Sequence, residues 1–243
     1  MLVEFLLAAW LLCALGTVTL TVVLARRFGN WILYAVFAML VLVSNLMTGK
    51  LIQFGGFVVT AVVAVYAVTF LCTDAICELY SKKEAQKVVL GGFLANILAL
   101  PLIYLVVAWP AAPFQAEFAQ KFNEVFGFAP RVIIASMVAY LASQTHDVYV
   151  YAWYKEKTKG KYMWFRNNAS TIVSQFIDTN LFIFLAFYGV LPLPVVLTMV
   201  FCEWMVKVGI ALLDTPFLYL AVSIAKRIIP QPIGLSPPKV RLP

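Results

Sequence analysis

Charged residues are scarce in this sequence. They make up only 12% of the 243 residues, whereas the apolar set of Ala, Val, Ile, Leu, Met, Phe, Trp, Tyr and Cys makes up 63%, and the mean hydropathy is +0.93. A soluble domain carries about a quarter charged residues. Because a chain of this composition has too little polar surface to cover itself in water, an ordinary soluble domain is excluded and an integral membrane protein is predicted.

Histidine, paired cysteines and phosphate-binding loops are also scarce or missing. The four cysteines lie in apolar stretches without Cys-x-x-Cys spacing, so neither a disulfide framework nor a metal site is indicated. No P-loop pattern occurs, so the chain hydrolyses no nucleotide by itself. The one histidine directly precedes Asp147, and Asp178 lacks the glycines that intramembrane aspartyl proteases require. We therefore expect a protein that is not an enzyme and needs no cofactor.

Long apolar runs dominate the sequence. A membrane-spanning helix needs about 20 mostly apolar residues. Seven stretches meet this need: residues 2–25, 31–49, 57–80, 88–109, 131–154, 169–190 and 194–225. Pro216 in the last stretch predicts a kink or a break there. We expect an all-α integral membrane protein, a bundle of six to seven transmembrane helices.

Basic residues gather in alternate connections between these stretches. Most of them lie in four segments: residues 26–27, 82–87, 155–166 and the tail from 226. The positive-inside rule puts these segments in the cytoplasm, which leaves the N-terminus outside and the C-terminus inside a cell inner or plasma membrane. Cytoplasmic loops beside anionic membrane lipid account for the net charge of +7, so no nucleic-acid partner is needed.

The longest connection, residues 110–130, contains a phenylalanine at every fourth position from Phe114 to Phe126. Charged and amide side chains lie between them. This spacing predicts an amphipathic helix on the outer surface of the membrane. It would serve either as a cap over a pocket or as an interfacial linker.

Five charged side chains lie inside the predicted spans: Asp74, Asp147, Asp178, Glu203 and Lys207. An unpaired charge at the middle of a bilayer costs about 2.5–3.5 kcal/mol on insertion scales. These side chains must therefore face a polar interior, which makes them candidates for a functional site. The three aspartates lie at depths of roughly 9, 10 and 13 Å from the cytoplasmic ends of their spans. We expect the three carboxylates to share one layer of a single site.

The pattern Ser-Gln-x-x-Asp occurs twice, at residues 143–147 and 174–178. In each copy the Gln and the Asp are three residues apart, so Gln144 lies beside Asp147, and Gln175 beside Asp178, on one helix face. Hydrogen bonding between helices is the alternative role, and it is the favoured one for the serines. The repeat predicts two walls of one polar pocket.

Other polar residues extend this pocket. Asp74 and Glu78 are four residues apart and share a helix face, and Glu203 and Lys207 can form an ion pair in the same way. Asn45 adds an amide from the second span. Carboxylates and amides with aromatic planes suit a flat polar solute rich in N–H donors, such as a guanine-like base. Carboxylates removed from water can also hold protons, so proton coupling is compatible with this site.

Several segments in order resemble one known family. They are SNLMTGK, TDAICELYSKKEAQKVVLGGFLANIL, the stretch from ASQTHDVYVY to NLFIFLAFYG, and FCEWMVKVGIALLDTPFLY. Together they look like the queuosine precursor transporter family, also called the vitamin-uptake family, over roughly residues 40–225. Residues 1–30 then form an additional N-terminal helix, residues 31–228 a six-helix transporter core, and residues 229–243 a Pro-rich cytoplasmic tail.

The resemblance implies uptake of a 7-deazaguanine for tRNA modification: 7-cyano-7-deazaguanine, 7-aminomethyl-7-deazaguanine or queuine. It gives a substrate-binding role to the following residues: Asn45, Asp74, Glu78, Gln144, Asp147, Gln175, Asp178 and Lys207. A secondary carrier is the leading hypothesis. The alternatives are a substrate-capture subunit of an energy-coupling vitamin importer, which would need ATPase partners, and a proton or cation channel. Gly91, Gly92 and Ala95 could support either a homodimer or packing within one chain.

Overall fold

The computed structural model describes residues 2–54, 57–127 and 130–228. The predicted tail, residues 229–243, lies outside the described residues. Eight α-helices are found within the described part: α1 Leu2–Phe28, α2 Trp31–Met47, α3 Val63–Leu79, α4 Lys82–Ala108, α5 Ala116–Phe126, α6 Pro130–Lys157, α7 Met163–Phe187 and α8 Leu193–Ile228. All of them except α5 overlap the seven predicted spans. The expected all-α membrane fold is confirmed.

Four of these helices are long and apolar enough to cross a membrane: α1, α4, α7 and α8. Helices α2 and α3 have seventeen residues each, which is the lower limit for a span. Helix α6 has 28 residues but carries many polar side chains. The chain is therefore a multi-pass membrane protein, and the count of six to seven spans stays a prediction.

The third predicted span begins differently from the prediction. Residues 57–60 do not belong to a helix, because they form strand β2 (Phe57–Thr60), which pairs antiparallel with β1 (Leu51–Phe54). The sequence carries a signal for this hairpin, since Gly55 and Gly56 separate two short apolar runs. The sequence alone predicts a helix here, because the periodicity of a four-residue apolar run fits a helix as well as a strand.

Helix α3 lies at the centre of the bundle. It packs against α1, α2, α4, α6, α7 and α8, and every one of its residues except Tyr66 is buried. Such a helix meets protein on all sides, so its polar side chains need partners from the surrounding helices. This position explains why Asp74 and Glu78 have long-range partners.

The first helix contributes to the same core. Leu15, Val18 and Val22 of α1 are buried in the main apolar cluster, and α1 packs against α2, α3 and α8. The division into an additional helix and a six-helix core stays a prediction. In the folded chain, however, α1 covers part of the central helix and does not stand apart from the bundle.

Helix α8 is continuous through Pro216. The predicted break is therefore wrong, whereas the predicted kink stays a prediction. A proline removes one backbone donor from the helix and frees a carbonyl in the preceding turn. The neighbouring Thr215 hydroxyl donates to the Ala211 carbonyl at 3.3 Å, which supplies one donor to this turn.

Helix α5 is the amphipathic helix predicted in the long connection. It packs against α4, and the rings of Phe118, Phe122 and Phe126 follow one another along one side, with ring centroids 6.4 and 4.5 Å apart. An ion pair between Lys121 and Glu117 lies on its exposed side. Its orientation relative to the membrane stays a prediction.

Gly92 allows three helices of the same chain to pack closely. A Cβ atom on Gly92 would lie 2.7 Å from the Tyr140 hydroxyl and 2.9 Å from the Phe37 ring. The close approach of α2, α4 and α6 therefore depends on a glycine at this position. Gly92 packs within one chain, and the homodimer stays a prediction.

Candidate functional site

Asp178 on α7 accepts three hydrogen bonds from three other helices. One oxygen, Oδ1, accepts from the Tyr66 hydroxyl at 2.7 Å and from the Ser143 hydroxyl at 3.0 Å. The other, Oδ2, accepts from Lys207 Nζ at 2.9 Å. Asp178 and Lys207 are both buried, so this is an ion pair removed from solvent. The contacts join α3, α6, α7 and α8 around one carboxylate.

Lys207 also contacts the second carboxylate that we expected beside it. The Nζ atom lies 3.5 Å from Glu203 Oε1, one turn earlier on α8, and it donates to the Thr179 hydroxyl at 3.0 Å. The predicted ion pair within the last span is confirmed. Glu203 and Asp178 thus share one ammonium group, and the three charges sum to minus one if all are ionised.

These groups line a small internal cavity. Its polar lining comprises Asn45, Thr48, Thr60, Tyr66, Ser136, Asp178, Glu203 and Lys207, and its apolar lining comprises Val62, Val63, Ala139 and Phe182. The hairpin contributes Thr60 from the end of β2, and the loop before α3 contributes Val62. The cavity therefore lies toward the end of the bundle that carries the hairpin.

The cavity volume is about 30 Å³. Such a volume holds no more than a few water molecules. A bicyclic base is several times larger, so it would enter only if the lining helices or side chains moved. In this conformation the pocket is too small for such a base.

Asp74 and Asp147 form a second polar centre deeper in the bundle. The Thr171 hydroxyl donates to Asp74 Oδ2 at 3.4 Å, and the Ser174 hydroxyl donates to Asp147 Oδ1 at 3.1 Å. Thr171 and Ser174 are three residues apart on α7, so both carboxyl groups lie against one face of that helix. Both are fully buried.

The three aspartates do not share one layer, and that expectation is wrong. Asp178 bonds to Tyr66, which lies eight residues before Asp74 on α3. Eight helical residues correspond to about 12 Å along the axis. The depth estimate failed because α7 begins at Met163, six residues before the predicted start of that span.

The two glutamines of the repeat lie between these centres and differ from each other. Gln144 donates to the Thr69 hydroxyl at 2.8 Å and accepts from Thr73 at 3.4 Å, so it joins α6 to α3. Gln175 is fully buried, and neither its amide nitrogen nor its amide oxygen has a hydrogen-bond partner among the described residues. Leaving a buried amide without partners is costly. Both amide atoms of Gln175 are therefore available to bind another polar group.

Glu78 lies in neither centre. Its carboxylate pairs with the buried Arg166 through Oε2, with Lys155 at 3.5 Å, and with Lys226 at 3.6 Å through Oε1. Lys155 also donates to the carbonyls of Cys77 and Glu78. This group, which we name the Glu78 cluster (Glu78, Lys155, Arg166 and Lys226), joins the ends of α3, α6, α7 and α8. It lies at the end of the bundle opposite the hairpin.

The structure therefore brings only some of the predicted site residues together. Asn45, Asp178 and Lys207 line the cavity; Asp74 and Asp147 form the carboxyl pair; Gln144 and Gln175 lie between them; and Glu78 belongs to its ion-pair cluster. The single predicted pocket is replaced by a polar column along α3, α6 and α7.

Sequence reasoning missed several members of this column. Tyr66, Ser136 and Thr60 carry no charge, so nothing distinguished them from other residues of apolar stretches. Arg166 was assigned to a cytoplasmic loop, although it is fully buried. Glu203 could have been included, because its spacing of four residues from Lys207 was already recognised.

Comparisons with known proteins point to one family. Residues 60–221 match the family described as "Putative vitamin uptake transporter". The chain is also 31% identical over 224 residues to a Bacillus subtilis (strain 168) protein named "Probable queuosine precursor transporter", covering 91% of this chain and 95% of that protein. No solved structure matches the chain.

Proposed function

Because the chain belongs to the vitamin uptake transporter family, we propose that it is a secondary carrier that imports a 7-deazaguanine precursor of queuosine. The observation that carries this proposal is the cavity around Asp178, in which two carboxylates, one ammonium group and one amide converge inside a membrane bundle. The similarity to a relative named as a queuosine precursor transporter supports the substrate class.

The cavity chemistry suits the edge of a guanine-like base. Such an edge presents a ring N–H and an amino group side by side, and a carboxylate can accept from both. Glu203 is the carboxylate that we assign to this contact, because its ion pair with Lys207 is long, at 3.5 Å, whereas Asp178 accepts three shorter hydrogen bonds. Lys207 or Asn45 would donate to the carbonyl of the base.

A protein that moves such a base must open the cavity to each side in turn. In the proposed orientation the hairpin end faces outside, and the Glu78 cluster closes the cytoplasmic end. Contacts around Asp178 join four helices, so a base that replaced some of them would change how these helices pack. This coupling of binding to packing is what alternating access requires.

Uptake in cells that depend on salvage tests the proposal. We expect Asp178→Asn and Glu203→Gln, expressed at normal levels, to abolish incorporation of supplied 7-cyano-7-deazaguanine into tRNA as queuosine. Glu117→Gln is the matched control for Glu203→Gln, because Glu117 is exposed on α5 and far from the cavity. Unchanged incorporation in Asp178→Asn and Glu203→Gln would contradict the assigned site.

Reconstitution separates the carrier from the other hypotheses. The purified chain alone should exchange labelled for unlabelled 7-deazaguanine across liposomes. A capture subunit would show no flux without an ATPase partner. A proton or cation channel would conduct current in the absence of any base.

A further inference from the structure

The pair formed by Asp74 and Asp147 has no part in the cavity. Asp74 lies on α3 and Asp147 on α6, and both are fully buried. They accept from Thr171 and Ser174, which are three residues apart on α7, so both carboxyl groups lie against one face of that helix. A buried carboxylate without a cation is costly, and a bound proton removes its charge.

Among the described residues, no Lys or Arg side chain neutralises the pair in place of this proton. Asp74 Oδ2 accepts from the Thr171 hydroxyl and Asp147 Oδ1 from the Ser174 hydroxyl, whereas Asp74 Oδ1 and Asp147 Oδ2 are buried without a hydrogen-bond partner among the described residues. Within the same residues, neither aspartate has a Lys or Arg ion pair. Gln175, one residue after Ser174, is a buried amide without partners. Charge on both carboxylates would be uncompensated.

Other titratable groups face the pair from each neighbouring helix. They are Cys77 on α3, His146 and Tyr151 on α6, and Asp214 on α8. Asp214 is also buried and accepts from the Asn167 amide at 3.0 Å. It adds a third carboxyl group and no positive charge. Lys155 and Arg166 are paired with Glu78. His146 Nδ1 lies 2.9 Å from the Ser174 hydroxyl, which in turn donates to Asp147.

We propose that Asp74 and Asp147 form a proton-binding site through which one proton enters the cell with each imported base. With the proton bound, the pair holds α3 against α6. Loss of the proton leaves two adjacent negative charges, which repel and separate these helices. The substrate cavity depends on the same two helices, because Tyr66 of α3 and Ser143 of α6 both donate to Asp178. This inference rests on the proposed function and names its coupling ion.

Transport in liposomes tests the coupling. With the outside more acidic by one pH unit, the wild-type chain should accumulate labelled 7-cyano-7-deazaguanine up to about tenfold, because one proton per base makes each pH unit equivalent to a factor of ten. We expect Asp74→Asn and Asp147→Asn to accumulate none above equilibrium while they still exchange labelled for unlabelled base. Glu117→Gln should accumulate base like the wild type.

The outcomes distinguish the two proposals. Accumulation by both Asn variants would overturn the proton site and leave the carrier intact. The same holds if the wild-type chain exchanges base but does not accumulate it in response to the pH gradient. Wild-type protein that neither accumulates nor exchanges base would contradict the carrier. In that case the infrared spectrum decides the proton site. A band of protonated carboxylic acid should be present at neutral pH in the wild type and lost or shifted in each Asn variant, and its absence from the wild type would overturn the inference.

Discussion

At the scale of single residues, the ion pair between Asp178 and Lys207 is the contact on which the proposed site depends. Both side chains are buried, and the carboxylate accepts two hydroxyl donors in addition to the ammonium group. Removing one partner of a buried pair leaves an uncompensated charge, whereas removing both leaves none. Stability and function should therefore separate in variants of this pair.

We expect Lys207→Met to lower the free energy of unfolding by about 3–5 kcal/mol, because Asp178 and Glu203 lose their shared cation. The double variant Asp178→Asn with Lys207→Met should recover much of this stability without recovering base uptake. Thermal unfolding in detergent and uptake in salvage-dependent cells measure the two effects. A double variant less stable than Lys207→Met would show that the pair is not coupled as described.

Tyr66→Phe isolates one hydrogen bond at the same site. The ring of Tyr66 remains, while the donor to Asp178 is lost. A hydrogen bond to a charged group contributes about 1.5–3 kcal/mol. We expect a loss of this size in unfolding free energy, together with weaker binding of base to the purified chain. Tyr104→Phe on α4, where Tyr104 is exposed, is the matched control.

At the scale of elements, two adjacent glycines of α4 make opposite predictions. A Cβ on Gly92 would lie 2.7 Å from the Tyr140 hydroxyl, whereas one on Gly91 would meet only the Tyr34 ring at 3.8 Å. Overpacking costs about 1–3 kcal/mol, and Ala in place of Gly in a helix gains up to about 1 kcal/mol. Gly92→Ala should therefore lower the melting temperature, and Gly91→Ala should raise it or leave it unchanged. The reverse order would contradict the packing of α2, α4 and α6.

The Glu78 cluster joins four helix ends, and its cations differ in burial. Arg166 is fully buried, whereas the side chain of Lys226 is 52% exposed. We expect Arg166→Met to cost about 3–5 kcal/mol of stability, because it leaves Glu78 underpaired in the interior. Lys226→Met should cost at most about 1 kcal/mol, since exposed pairs are screened by solvent. Equal effects in thermal unfolding would contradict this description of the cluster.

At the scale of the whole molecule, the polar column defines two different ends of the bundle. The cavity lies near the hairpin, and the Glu78 cluster lies at the opposite end, next to the loop between α6 and α7. The basic loops predict that this second end faces the cytoplasm. We therefore expect the cavity to lie toward the outer side of the membrane.

Cysteine labelling measures the orientation. We expect Glu117→Cys on α5 to react with a membrane-impermeant maleimide in intact cells, and Lys159→Cys in the loop after α6 to react only after permeabilisation. The unmodified chain serves as the control, because three of its four cysteines are buried. Labelling in the opposite order would reverse the proposed topology.

The sequence by itself determined the class of the protein, because the shortage of charge and the long apolar runs leave no other environment than a membrane. It also singled out Asp74, Asp147, Asp178 and Lys207, since an intramembrane charge is costly wherever it lies. These residues stand in the two polar centres of the bundle.

Only the tertiary structure decided which of these charges meet. Helical spacing relates residues within one helix, but contacts between helices depend on where each helix begins and how it packs. Asp178 therefore joined Tyr66 and Lys207, Asp74 joined Asp147, and Glu78 joined Arg166. The hairpin that brings Thr60 to the cavity was mistaken for a helix end, because its short apolar strands have no periodicity that tells them from a helix.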